Sequence, residues 1–448
     1  MGRSGLAAAK FLSEQKARVR ATDASEKKEV LENAGFLRNL GVLVETGRHT
    51  GPFITESRLI VTSPGVSKES FPLKLAKRRR IPVISEVELA SFFCPGLVAA
   101  VTGSNGKTTT CNLIHRILAQ ARRKNVLCGN VGYSFLNALP EVDGKTAVVL
   151  ELSSFQLEDS PTFRPKVAVV LNISPNHLDR HKTLRSYVAA KEKIFKNQRP
   201  GDFLVLNFDD PAVRGMARRA KSKVIFFSRG TVCRAPRRIF LESSRIFIKG
   251  IGARDIVLTT SHFQLKGDHN LENIMAAVAV AALLKIPALQ IQKALDSFKT
   301  LEHRIEPLGS VRGVEFFNDS KSTTVRSTTA AILAMRRPVI LVAGGRDKGV
   351  NFDEIEGLVE QKAKRVVLYG EAREKIAACW RRFGRFQMEA NFDKAVRLAF
   401  GLAAPGDALL LSPMCTSFDQ FNSFEERGEA FKHIFEELKG EYGTDRKG

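Results

Sequence analysis

VTGSNGKTTT, residues 101–110, decides how the rest of the chain is read. It follows the apolar run Leu97, Val98, Ala99 and Ala100 and precedes Leu113, Ile114, Ile117 and Leu118 at helical spacing. The order is strand, glycine-rich turn, helix. Gly103 and Gly106, with Ser104 and Asn105 between them, let backbone N–H groups turn inward on a phosphate. Lys107 supplies a mobile positive charge, the Thr108 hydroxyl can reach Mg²⁺ beside Thr109, and the helix N-terminus adds its partial positive charge. The spacing is G-x-x-G-K-T. The first glycine of the usual phosphate loop falls at Val101.

Working outward, 448 residues predict two to four domains, each large enough to bury its own core. The 44% hydrophobic content suits a soluble globular protein. The longest apolar run, 274–284, is too short to span a bilayer and suits a buried helix. No secretory leader and no membrane insertion are expected. The six cysteines lack C-x-x-C pairs, so neither a disulfide framework nor a zinc site is indicated, and a cytoplasmic location follows. The net charge of +23 raises nucleic-acid binding through runs such as Lys77-Arg78-Arg79-Arg80. The basic residues are spread along the chain and aromatics are only 8%, so no nucleic-acid partner is expected. A basic phosphate-loop ATPase that binds nucleic acid is the rival from another class.

Strands alternate with helices throughout, which predicts parallel α/β sheets. Residues 1–94 read as a Rossmann-like domain. Its opening GRSG, with Ser4, is the end of a glycine turn, and the strand near 19–21 ends at Asp23, placed to meet a ribose. The first strand and first glycine of that unit are missing, which predicts a weakened nucleotide site or a start assigned too late. A strand over 59–62 leads into Ser63, Pro64 and Gly65. Residues 95–300 read as a central phosphate-loop ATPase-like domain with a mostly parallel sheet. Its strand over 147–150 ends at Glu151, where a Mg²⁺ carboxylate belongs. The strand over 167–171 leads to His177, open between a structural histidine and a metal ligand. Asn270 and Asn273 lie at a helix start and either contact a nucleotide or cap the helix. Residues 301–448 read as a second Rossmann-like domain, with polar loops after its strands.

Those loops carry a resemblance. TGSNGKT at 102–108, NISPNHLDRH at 172–181, EHR at 302–304, NDSK at 318–321 and GGRDK at 344–348 resemble the Mur ligases, ATP-dependent amino-acid ligases of peptidoglycan synthesis. ELSSFQLE at 151–158 and LSPMCTSFDQF at 411–421, continuing to FEERG at 424–428, narrow it to the branch that adds D-glutamate to UDP-N-acetylmuramoyl-L-alanine. The motifs run through the chain in the family's order.

The resemblance implies an acyl phosphate made from ATP and then attacked by the amine of D-glutamate. It implies catalytic roles for Lys107, Glu151, His177 and Lys191. It places two Mg²⁺ sites on Thr108, Glu151, His177 and Lys191, the last as a carbamate. An ammonium cannot ligate Mg²⁺, whereas a carbamate can; by sequence alone Lys191 would be an ordinary surface lysine. ATP is expected at residues 103–109, Asn270, Asn273, Arg304 and Asp319. The UDP-sugar is expected at Ser4, Asp23, Ser63, Gly65 and Asn130. D-glutamate is expected at Lys321, Thr323, Lys348, Ser417, Phe418 and Phe424. A monomer is expected, with the third domain closing on the second once both substrates are bound. The near alternatives are a sister ligase adding another amino acid and a folate-type polyglutamate ligase; the Ser417-Phe418 stretch argues against both.

Overall fold

The computed structural model describes every residue except 131–132, 175–177, 231, 253–254, 266, 299–301, 348 and 444–448. The chain divides into two compact units, Met1–Phe298 and Lys299–Gly448.

The first unit opens with the helix Arg3–Glu14 and two short parallel pairs. β1 (Arg20–Asp23) pairs with β2 (Leu43–Thr46), and β3 (Ile60–Thr62) with β4 (Val83–Ser85). Ala7, Ala8 and Ala9 are buried, and small side chains there let the first helix approach its neighbours closely. The boundary expected near residue 94 falls inside this unit. The helix Glu86–Phe93 ties the opening segment to the remainder of the unit through two buried carboxylates. Glu88 accepts from the amides of Thr162 and Phe163, both at 2.8 Å, and Glu86 from that of Leu136 at 2.7 Å. Burial pushes the Glu86 carboxyl up to about 7 against those hydrogen bonds and the charge of Arg3.

The central sheet has nine strands: β5 (Leu97–Thr102), β6 (Asn125–Gly129), β7 (Ala147–Glu151), β8 (Val167–Val170), β9 (Phe203–Asn207), β10 (Lys223–Ser228), β11 (Arg238–Glu242), β12 (Arg245–Lys249) and β13 (Ile256–Thr259). Their order is β13-β12-β11-β10-β9-β8-β5-β7-β6. From β6 to β11 every neighbour is parallel, and β12 runs antiparallel to both β11 and β13. β5, β7 and β8 are buried along nearly their whole length, as strands covered on both faces must be. The apolar run near 274–284 lies in the helix Asp268–Leu283 and is buried from Ile274 to Ala282, so this helix is apolar all round. β5 lies between β7 and β8. The chain leaves β5 to one side and returns on the other, so a crevice opens at the carboxyl ends of these strands.

The second unit holds six strands: β14 (Glu306–Val311), β15 (Val314–Asn318), β16 (Val339–Gly344), β17 (Ala363–Tyr369), β18 (Phe386–Glu389) and β19 (Ala408–Met414). Their order is β14-β15-β19-β16-β17-β18, all parallel neighbours except β14 with β15. β15, β19 and β16 are adjacent. Their carboxyl ends therefore bring NDSK, the loop after Met414 and GGRD (344–347) to one edge.

Four strands were not expected: β2, β6, β14 and β18. β14 contains Pro307 and Gly309, which weaken any strand reading of the sequence. It is tolerated as an edge strand with a register shift between those two residues. The helix Leu184–Lys196, which carries Lys191, is capped by the Thr183 hydroxyl accepting from the Ser186 amide. All six cysteines are free. Among the described residues no helix is long and apolar enough to cross a membrane.

Candidate active site

The phosphate loop closes β5 and opens the helix Lys107–Gln120. Gly106 has a φ of +81°, and a Cβ there would lie 2.1 Å from Asn273 Oδ1, so the position requires glycine. The loop is braced from the end of β8. Ser104 N donates to Asn172 O at 2.9 Å, Asn105 N to Asn172 Oδ1 at 2.8 Å, and Ser174 N to Ser104 Oγ at 2.9 Å. Ser104 Oγ also meets the Tyr187 hydroxyl at 3.0 Å. Thr108 and Thr109 are buried at the start of the helix. Asn273 accepts from the Thr110 hydroxyl at 3.3 Å and donates to Asn270 Oδ1 at 3.4 Å, so both asparagines stand beside the phosphate loop.

Lys107 Nζ and Lys191 Nζ donate to the same carbonyl, Gly103 O, each at 2.9 Å. Lys191 is no surface lysine: it is 1% exposed, with its nitrogen 4.6 Å from the Tyr187 ring centre. The surface reading fails because Tyr187 and Lys191 are four residues apart on a helix, so one face carries both into the sheet crevice. Burial first, and then the charge of Lys107, hold the Lys191 ammonium well below its ordinary pKa, opposed by Glu151. Lys191 is thus a buried amine biased toward its neutral, nucleophilic form.

Glu151 ends β7 and is 1% exposed. Its Oε1 accepts from Asn130 Nδ2 at 2.9 Å, and its backbone oxygen accepts from Asn130 N at 2.9 Å. Its Oε2 is buried without a hydrogen-bond partner among the described residues, as are Thr109 Oγ1 and Ser174 Oγ. Buried, unsatisfied oxygens around a phosphate loop suit a hard cation with oxygen ligands. His177 and Lys348 lie outside the described residues.

Arg3 Nη2 reaches Asn130 O at 3.3 Å, so the start of the first helix meets the Asn130 turn. Ser4 lies in that helix, and Gly5 approaches Ser63, whose Oγ is 3.2 Å from where a Cβ would stand. Asp23 accepts from the Ser25 amide at 2.9 Å and pairs with the Met1 amino group. Gly65 is exposed, in open space.

In the second unit Asp319 is 2% exposed and accepts from Ile305 N at 3.2 Å and the Ser412 hydroxyl at 2.7 Å. Burial raises it to about 6, against those bonds and the charge of half-buried Arg304. Lys321 Nζ stands 5.0 Å from the Phe424 ring centre, and Ser320 Oγ donates to Phe424 O at 2.8 Å. Thr323 N donates to Lys321 O at 3.0 Å. Ser417 is buried and Phe418 is 56% exposed, an aromatic ring on an otherwise polar edge.

The sequence reading missed Tyr187, which joins Lys191 to Ser104; its spacing from Lys191 was the available signal. Arg3, read only as part of the opening glycine turn, also reaches Asn130.

With this geometry in place, three family profiles match the chain. They are the Mur ligase MurD-like N-terminal domain over residues 1–85, the Mur ligase middle domain over 101–281, and the Mur ligase glutamate ligase domain over 303–415. The chain belongs to the Mur ligase family. Its fold is accordingly the three-domain α/β architecture of that family. UDP-N-acetylmuramoylalanine–D-glutamate ligase of Koribacter versatilis is 40% identical over 98% of this chain and 96% of its own length. The ligase of the same name from Pelotomaculum thermopropionicum is 41% identical, again over 98% and 96%. Among solved structures, UDP-N-acetylmuramate-alanine ligase of Thermotoga maritima superposes with a TM-score of 0.60 at 17% identity over 98% of both chains. A pseudomurein peptide ligase type C from Methanothermus fervidus also gives 0.60, at 18% identity over 98% of both. At such identities these two Mur-type structures speak for the fold alone.

Proposed function

We propose that this chain is an ATP-dependent ligase that joins D-glutamate to UDP-N-acetylmuramoyl-L-alanine in the cytoplasm, as a monomer. The observation that carries the reading is the match, over 98% of the chain, to relatives that bear this name, combined with a phosphate loop whose Gly103 carbonyl is met by both Lys107 and Lys191. Residues 1–94 bind the UDP-sugar, 95–300 bind ATP, and 301–448 bind the incoming amino acid.

In the first step a substrate carboxylate oxygen attacks the γ-phosphorus of ATP, and ADP leaves with the bond electrons. Charge neutralisation and alignment carry this step. Lys107 releases Gly103 O and Ser104 O to face the phosphates. The Asn130 side chain holds Glu151 in place while the Arg3-Asn130 contact keeps the substrate turn against it. Asn270 and Asn273, beside the phosphate loop, hold the nucleotide. In the second step the amine of D-glutamate attacks the acyl carbon. The tetrahedral intermediate collapses, phosphate departs, and the nitrogen loses a proton as the amide forms. Lys321, Thr323, Lys348 and Ser417 hold the two carboxylates, with Phe418 and Phe424 beside them.

The reading includes two Mg²⁺ sites; with His177 outside the described residues, its support comes from Thr108, Glu151 and Lys191. Thr108 and Glu151 would hold one, and His177 with Lys191 as a carbamate the other. When bound, Mg²⁺ offsets the charge of the phosphoryl oxygens. The unsatisfied Glu151 Oε2 and the buried, low-pKa Lys191 support the assignment.

The test is phosphate release from ATP with UDP-N-acetylmuramoyl-L-alanine, with and without D-glutamate, and with L-glutamate in parallel. Release that needs both the UDP-sugar and D-glutamate, with L-glutamate inactive, is expected. Release driven equally by another amino acid would sink the reading.

A further inference from the structure

Arg180 lies in the short helix Leu178–His181, and its side chain is 20% exposed. It reaches back across 116 residues. Its Nη1 donates to Pro64 O at 2.7 Å and its Nη2 to Val66 O at 3.0 Å. These two carbonyls flank Gly65. The same Nη2 donates to Glu158 Oε2 at 3.3 Å, and the guanidinium carbon sits 4.4 Å from the centre of the Phe155 ring. The other Glu158 oxygen lies 3.3 Å from His181 Nδ1. Phe155 also stacks on His181, with ring centres 5.4 Å apart and planes 10° from parallel.

A planar, rigid fork is suited to two carbonyls at once, which a lysine could not span. The consequence lies in peptide geometry. In a trans peptide the N–H points opposite to the C=O. Drawing Pro64 O toward Arg180 therefore turns the Gly65 N–H the other way. Gly65 is exposed, and among the described residues nothing stands within 4 Å of where its Cβ would be. The turn is closed independently by Val66 N donating to Ser63 O at 3.1 Å. What Arg180 adds is the orientation of the peptide at its tip.

Arg180 is not alone in tying the opening segment to the region around Glu158. Ser85 N donates to Asp159 O at 2.7 Å, the hydroxyls of Ser85 and Ser160 meet at 2.8 Å, and Lys68 pairs with Asp159. Those contacts tie residues 68 and 85 to residues 159 and 160, beside Glu158, without Arg180.

We propose that Arg180 is a positioning residue for the UDP-sugar. Through the carbonyls of Pro64 and Val66 it presents the Gly65 amide as a donor to an anionic or carbonyl oxygen of that substrate. Through Glu158 and Phe155 it ties that donor to the helix Ser154–Glu158, which follows Glu151. The inference rests on the function proposed above and names how its first substrate is held.

The test uses the full-length chain with Arg180→Lys, Arg180→Ala and Glu158→Gln. UDP-N-acetylmuramoyl-L-alanine binding is measured by calorimetry without ATP, beside the KM values for the UDP-sugar, ATP and D-glutamate. Arg180→Lys should weaken UDP-sugar binding and raise its KM about tenfold, Arg180→Ala more and Glu158→Gln less, on the scale of shell residues that orient a ligand-binding group. The KM values for ATP and D-glutamate should stay within about twofold. A merely structural role would lower thermal stability and move all three KM values together. That outcome, or UDP-sugar binding in Arg180→Lys equal to wild type, would overturn the proposal. If Arg180→Ala fails to fold, the lysine and Glu158 variants decide. Wild-type protein that neither binds the UDP-sugar nor turns it over would instead overturn the proposed function, and this inference with it.

Discussion

Asn130 and Glu151 are joined twice: the Asn130 amide meets the Glu151 carbonyl, and the Asn130 side chain meets the Glu151 carboxylate, both at 2.9 Å. The double link leaves one carboxylate oxygen bonded and the other, Oε2, buried without a partner among the described residues. Asn130→Ala should therefore raise the Mg²⁺ concentration for half-maximal activity by about 10–100-fold, the range for residues that orient a metal ligand. A Mg²⁺ titration at saturating ATP checks this. An unchanged midpoint would show that Glu151 needs no such support.

Lys191, whose pKa burial depresses, should take up carbon dioxide. Activity should fall when the enzyme is stripped of carbon dioxide and return on adding bicarbonate, and Lys191→Met should not respond. The buried amine also has a stability consequence. Its folded pKa is depressed, so the contribution is present above its ordinary pKa and lost as pH falls through the depressed one. Thermal unfolding of Lys191→Met should lose stability less steeply with falling pH than the unmodified wild type.

Glu86 gives the opposite sign. Burial raises its carboxyl from 4.5 to about 7, so it contributes stability below pH 4.5 and loses it as pH rises toward 7. Glu86→Gln should gain on wild type across that window, by an amount of order 3 kcal/mol at pH 8. Denaturant unfolding at pH 5 and pH 8 measures the gain. A difference that does not grow with pH would mean that the hydrogen bond from Leu136 dominates.

Gly106→Ala places a methyl group 2.1 Å from Asn273 Oδ1 at a φ of +81°. The left-handed backbone alone costs about 1–2 kcal/mol. The ATP KM should rise at least tenfold, and pairing the change with Asn273→Ala should recover stability but not ATP binding. Full recovery of ATP binding in the double variant would show that Asn273 makes no contact with nucleotide.

Ser417→Ala should raise the D-glutamate KM far more than the ATP KM. Ser417 is buried beside exposed Phe418 at the carboxyl end of β19, with Lys321 and Thr323 on the adjacent β15 loop. Initial rates with each substrate varied separately decide it. Equal rises in both constants would remove Ser417 from the amino-acid pocket.

The local parts of this protein could be read directly. The phosphate loop is one continuous stretch, and its glycines, lysine and threonines act within one turn of each other. The alternation of buried strands and helices likewise depends on neighbours in sequence, so β5, β7, β8 and β19 were recognisable from short apolar runs. β14 was not, because Pro307 and Gly309 argue against a strand until an edge position excuses them.

The amino-acid sequence by itself determined the family, the chemistry available in each strand-end loop and the order of those loops along the chain. Only the tertiary structure decided how they act on one another. Burial beneath the phosphate loop turns Lys191 from an ordinary lysine into a low-pKa amine. Pairing of β6 with β7 brings Asn130 onto Glu151. Packing sets Glu86 near neutrality, and Arg180 meets the Ser63–Val66 turn across 116 residues. The physical reason is the same in each case. Hydrogen-bonded turns and periodic burial are encoded by adjacent residues, whereas desolvation and contacts between distant loops exist only once the sheet has brought those loops together.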